Sequence, residues 1–157
     1  MIFRVFEVLQ FALMRHRKLN ADEVRKTLNK IPFAKMLGAR LACLHRDGIT
    51  LECTLHAKLL NSARALHGGV SAALADAAVG VAIHRHFGRL RPITTVEMKI
   101  NYFRPVTEGR VYARSRLMRI GSTLCIGRVD ITDAHARTVG TAIVTYMLLE
   151  PTGVASS

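Results

Sequence analysis

The chain has 157 residues, half of them hydrophobic, with its charges scattered rather than blocked; this fits one globular domain around a single core and excludes a disordered chain. The 23 Lys and Arg outnumber 11 Asp and Glu, giving a formal net charge of +12, so attraction to an anionic partner is expected. The three cysteines, Cys43, Cys53 and Cys125, form no CxxC or Cys/His cluster; they argue against a disulfide framework or a zinc site and read as small buried apolar residues in a reducing, cytoplasmic compartment.

In chain order, "MIFRVFEVLQFALMRHRKLN" is apolar, but Arg4, Glu7 and Gln10 interrupt it at helical spacing. It is too short and too charged to span a membrane, and no small-residue cleavage site follows it. Residues 2–15 read as an amphipathic helix that packs on the domain or on a partner. The basic run Arg15-His16-Arg17-Lys18 keeps surface attachment to a membrane as the alternative. Asn20 or Asp22 can cap a second short helix through about Lys30, ended by Pro32. From Leu37 the period changes to alternation, with a hairpin turn at Asp47-Gly48. Beyond it Ile49, Leu51, Cys53 and Leu55 face one way, and Thr50, Glu52, Thr54 and His56 the other.

Residues 57–66 connect without a clear period. A long apolar helix then runs from about Gly69 to His86, closed by Phe87-Gly88. After Pro92, Val96, Met98, Ile100 and Tyr102 alternate with Thr95, Glu97, Lys99 and Asn101. Further strands are expected over 110–120, 123–132 and 137–149, joined by turns at Gly121-Ser122 and at 133–136. Such short connections exclude a parallel sheet with crossover helices. A helix apolar nearly all round must be covered on most sides, so the expected architecture is α+β, an antiparallel sheet curled around one long helix. A second subunit would cover the face that the sheet leaves.

One residue resists that picture. Asp76 stands in the middle of "LHGGVSAALADAAVGVAI", where a buried carboxylate is costly unless it is paired, hydrogen-bonded or used. At 100° per residue Val70, Leu74, Ala77 and Val81 share one stripe, and Asp76 falls away from it with Ala72, Val79 and Ile83, on the side a subunit interface would occupy. The helix opens with His67-Gly68-Gly69, where glycines admit a ligand to first-turn N–H groups that lack intrahelical partners. That arrangement can stabilise an oxyanion. A structural role for Asp76, capping a loop or pairing with an arginine across an interface, stays open on pattern alone.

The stretches "NSARALHGGVSAALADAA", "TTVEMKINYFRPV" and "GSTLCIGRVDI" resemble the phenylacetate-type, PaaI-like branch of the hotdog-fold acyl-CoA thioesterases. The resemblance covers roughly 35–149. It divides the chain into an N-terminal helical extension over 1–34, a hotdog domain over 35–150 and a disordered tail over 151–157. It implies that Asp76 acts as general base for water or as nucleophile, with the Gly68 N–H polarising the thioester carbonyl. Asn61 and His67 would hold the loop or a water, and Thr95, where the family often carries serine, would supply a hydroxyl. Asp76 and Thr95 would come from one subunit and the HGG loop from another, in a homodimer or homotetramer. His67, Gly69, Arg119, Gly121 and Ser122 would contact the acyl-CoA, with Arg104 and the Arg89/Arg91 pair as further candidates for its phosphates. Leu59, Leu60 and Ile83 could line an apolar pocket. Coenzyme A is then part of the substrate, and no separate cofactor or metal is expected. Neither a nucleic-acid motif nor a nucleophile elbow is present. The alternative on the same fold is a non-catalytic acyl-CoA binder or sensor.

Overall fold

The computed structural model describes residues 17–149; the amphipathic helix expected over 2–15 and the tail over 151–157 lie outside them. Asn20 caps the first described helix, α1 (Ala21–Asn29), in a capping box: its side chain accepts from Glu23 N, and the Glu23 carboxylate accepts from Asn20 N. Pro32 does more than stop this helix. It occupies the first turn of a second one, α2 (Pro32–Met36), where its missing N–H costs nothing.

Two strands follow, β1 (Arg40–His45) and β2 (Gly48–Thr54), then a 3-10 turn at Ala57–Leu59 and the long helix α3 (Gly68–His86). Four more strands complete the chain: β3 (Ile93–Tyr102), β4 (Arg110–Ile120), β5 (Leu124–Asp133) and β6 (Thr138–Leu148). Every pairing is antiparallel, in the order β1-β2-β4-β5-β6-β3. The sheet bends around α3 and buries Leu74, Val79, Val81 and Ile83 against Leu51, Val111, Val129 and Val144. Each such side chain, removed from water, contributes roughly 1.5–3 kcal/mol. Val24 and Leu28 bring α1 into the same core, and Leu19 N–H donates to Arg85 O at the far end of α3.

Both tight turns sit one residue away from the positions expected. His45 pairs with Gly48, so Arg46 and Asp47 form the first loop. Gly121 N–H donates to Leu124 O (2.9 Å), so Ser122 and Thr123 form the other. The glycines flank the turns for a different reason. A Cβ on Gly48 would lie 2.0 Å from the Ser115 carbonyl oxygen, and one on Gly121 would lie 2.8 Å from that of Leu124. At Gly48 the neighbour is backbone and cannot yield. The fully buried Ser115 hydroxyl also clamps β2, accepting from Ile49 N (3.2 Å) and donating to Ile49 O (3.1 Å). Gly48→Ala must therefore part β2 from β4 at their tightest point. We expect a loss of about 3 kcal/mol, read as a Tm lower by roughly 10 °C in thermal unfolding; an unchanged Tm would contradict the close approach.

The cysteines divide. Cys53 and Cys125 are buried, but Cys43 is exposed, because the register of β1 shifts between Leu41 and Cys43 and breaks the alternation there. Burial pushes the Cys53 and Cys125 thiols up, which makes them inert as nucleophiles. Near the end of α3, His84 is buried and its Nδ1 accepts from Arg91 N (3.2 Å). Burial holds its pKa below the ordinary 6.5. The neutral ring is favoured in the folded state, so its contribution is complete above about pH 6.5 and declines as pH falls below it, where the unfolded chain protonates first. The urea midpoint should drop between pH 7.5 and 5.5, and less steeply in His84→Gln; equal slopes would exclude His84 as a source.

Candidate active site

A short loop delivers the start of α3. Asn61 Oδ1 accepts from Ala63 N (3.0 Å) and Ala65 N (3.1 Å), and Asn61 N–H donates to Ala65 O (2.8 Å). Asn61 thus ties the five residues 61–65 into a turn, within which Arg64 adopts φ +60°. Leu60 and Leu66 form a bridge across the base of this turn. His67 is the N-cap, its Nδ1 accepting from Gly69 N (3.0 Å). That bond commits the Gly69 donor. Gly68, the first residue of the helix, presents an N–H with no intrahelical acceptor.

Tyr102 closes the other side of this corner. Its hydroxyl donates to Gly68 O (2.9 Å), and a Cβ on Gly68 would lie 3.3 Å from the ring. Arg104 lines a cavity of about 30 Å³ beside Gly68 and Tyr102, room for little more than one water. It is the arginine candidate that the fold brings to the helix start.

Asp76 lies two turns along α3 and is half-buried. Thr95 Oγ1 donates to its Oδ1 at 2.9 Å. Its main-chain oxygen accepts from the Tyr146 hydroxyl at 3.0 Å. Thr95 and Tyr146 are cross-strand partners on β3 and β6, which explains how residues 51 positions apart reach one turn of helix. Burial, and then the Asp76 charge, raise the Tyr146 phenol far above its ordinary range, so it remains a donor.

The face carrying Asp76 is open only along the first half of α3. Gly69 is exposed, and Ala72, Ala73 and Asp76 are half-buried; Ala77, expected on the covered stripe with Val70, Leu74 and Val81, is half-buried too. Val79 and Ile83, expected on the same open face, are fully buried; β5 closes over Val79 at Gly127, where a Cβ would come within 2.7 Å of both Val79 methyls. Leu59 is buried in the core as well, so neither it nor Ile83 lines an open pocket.

The structure brings Asp76 and Thr95 together, and groups Asn61, His67, Gly68 and Gly69 at the helix start. It does not join the two groups within one chain. Gly68 and Asp76 are eight residues apart, about 12 Å along the axis. Arg119, Gly121 and Ser122 sit apart from both, at the β4–β5 hairpin. Ile120 pairs with Cys125, Cys125 with Tyr146 and Tyr146 with Thr95, placing the hairpin about 14 Å across the sheet from Thr95. Arg91 stacks on Phe87, 4.9 Å from the ring centre. Among the described residues, Arg17, Arg25, Arg110, Arg114, Arg116, Arg128 and Arg137 pair with carboxylates, whereas Arg89, Arg104 and Arg119 make no ion pair. No group of described residues could hold a metal, and no described helix is long and apolar enough to cross a membrane.

A family model described as the thioesterase superfamily matches residues 64–139, from the Asn61 turn through the start of β6. The medium/long-chain acyl-CoA thioesterase YigI of Escherichia coli is 27% identical over 150 residues, covering 83% of this chain and 97% of that one. A variant of the phenylacetic acid degradation protein PaaI from Thermus thermophilus superposes with TM-score 0.67 at 26% identity, over 75% of this chain and 99% of that one. In sequence and fold the chain is PaaI-like, similar to the hotdog thioesterases. The fold is shared more widely: thioesterase HI1161 from Haemophilus influenzae superposes with TM-score 0.78 at 19% identity, over 87% and 95% of the two chains. As an enzyme this hotdog thioesterase is a thioester hydrolase.

Proposed function

We propose that this thioesterase hydrolyses acyl-CoA thioesters in a site completed by two copies of the chain, Asp76 and Thr95 coming from one and the Gly68 N–H from the other. The observation that carries this reading is the setting of Asp76: half-buried on the open face of an apolar helix and hydrogen-bonded through one oxygen to Thr95. The carboxylate thus sits on the face where a second subunit would pack. The axial separation of about 12 Å between Gly68 and Asp76 is too long for both to touch one carbonyl in a single chain. A two-fold partner supplies the missing half. The acyl-CoA thioesterase activity named for its Escherichia coli relative supports the substrate class.

In this scheme Asp76 takes the proton of a water whose oxygen attacks the thioester carbon, or attacks that carbon itself. Charge developing on the carbonyl oxygen is met by the Gly68 N–H and the positive end of α3. On the base route the C–S bond then breaks, Asp76 passes its proton to the CoA thiolate, and the acid leaves. On the nucleophile route loss of the thiolate leaves an acyl–Asp76 anhydride; water hydrolyses it, freeing the acid, restoring the carboxylate and supplying the thiolate's proton. Asn61 and His67 hold the loop that aims Gly68, and Thr95 fixes the carboxylate. Arg119, with Gly121 and Ser122 in its hairpin, and Arg104 are the candidates for the CoA phosphates, within the charge of +12. The test is release of CoA thiol from short, medium, long and aryl acyl-CoAs. Turnover of some members supports the reading; thermal stabilisation by acyl-CoA without any turnover overturns it in favour of a binder.

A further inference from the structure

Gly80 is a buried glycine in the interior of α3, where glycine costs about 1 kcal/mol against alanine. Its φ is ordinary for a helix, so backbone freedom does not explain it. Space does. A Cβ at Gly80 would lie 2.9 Å from the Tyr146 hydroxyl and 3.2 Å from Cζ. The hydroxyl enters this notch to reach Asp76 O, the carbonyl that in a regular helix accepts from the N–H of residue 80. A carbonyl oxygen has two lone pairs, so both donors can be accommodated. Tyr146 is 6% exposed, and a phenol that deep must find a partner.

We propose that Tyr146 is a positioning residue for Asp76, and that Gly80 is present to admit it. Two hydroxyls on paired strands hold one residue at two points: Thr95 the carboxylate, Tyr146 the main chain. The turn of α3 at Asp76 is thereby pinned to β6 and cannot drift along the open face. The role rests on the catalytic reading of Asp76, and a misplacement of about 1 Å can cost as much as 100-fold in rate.

The experiment compares wild type, Tyr146→Phe, Gly80→Ala and the double variant in acyl-CoA hydrolysis, with circular dichroism confirming the fold. Each single change is expected to lower kcat by about 10- to 100-fold with KM nearly constant. The double variant should fall no further than Tyr146→Phe alone, since both remove one contact. A folded Tyr146→Phe enzyme with kcat within about twofold of wild type overturns the proposal, as does full additivity. A second readout needs no activity. With ring-labelled tyrosine, the Tyr146 resonance, assigned by its loss in Tyr146→Phe, should titrate well above the ordinary phenol value, and earlier in Gly80→Ala. If it titrates near pH 10 in wild type, the seat does not exist, whether or not the protein hydrolyses a thioester. Failure of wild type to hydrolyse any acyl-CoA would overturn the positioning role together with the catalytic reading, leaving the seat as structure alone.

Discussion

Asp76→Asn is expected to lower kcat by about 10²- to 10⁴-fold, the range a positioned general base supplies, while the protein stays folded and associated. The substitution keeps the shape of the side chain and an oxygen for the Thr95 hydroxyl to donate to. The contact of Tyr146 with the main-chain oxygen is untouched. What disappears is the negative charge and the ability to take a proton or attack carbon. Removing a charge from a half-buried position on an apolar helix should not lower stability, and Tm should hold or rise, as at many sites where function constrains the residue. The measurements are CoA thiol release with saturating acyl-CoA, size-exclusion chromatography and Tm on the same preparation. If kcat survives and only Tm falls, Asp76 is a structural carboxylate and the hydrolytic scheme is wrong in its central residue.

Much of this could be read from the sequence, for identifiable reasons. Strand alternation and the apolar length of α3 report directly on burial, so an antiparallel sheet around one helix followed from Ile49-Leu51-Cys53 and from residues 69–86. The Asp76–Thr95 pairing was legible only through resemblance to the family, because the two lie 19 residues apart on elements whose mutual placement no local pattern encodes. Tyr146 was invisible for the same reason at a greater distance: in a strand of alternating apolar residues it reads as core, and only the register with Thr95 gives its hydroxyl a role.

The turn glycines teach a different lesson. Asp47-Gly48 and Gly121-Ser122 are good hairpin signals, yet each glycine serves a close approach of backbone that involves a residue outside its turn or across it. Glycine marks both a turn and a tight contact, and the sequence does not distinguish them. The wheel of α3 failed at Val79 and Ile83 because β5 closes over Val79 at Gly127 and Ile83 is enclosed in the same core. The open face is shorter than the apolar pattern suggests, and Asp76 lies within the part that stays open.

That geometry gives the second large effect. Gly68→Pro deletes one N–H while respecting the helix, since the first helical position tolerates proline and has no intrahelical bond to lose. The ring must fit beside Tyr102, where a Cβ meets Cζ at 3.3 Å, a contact that a small movement of one side chain relieves. The expected result is a loss of about 10²- to 10³-fold in kcat, the cost of removing one oxyanion donor, with the helix content unchanged. Mixing then locates the donor. In a two-fold dimer whose sites each combine Asp76 of one chain with Gly68 of the other, Asp76→Asn and Gly68→Pro subunits exchanged at random leave one intact site in each mixed dimer, and half the dimers are mixed. Two nearly inactive preparations should together recover about a quarter of wild-type turnover. Sites confined to single chains would recover nothing, because every chain carries one lesion, and that outcome would remove the shared site while leaving Asp76 its own test.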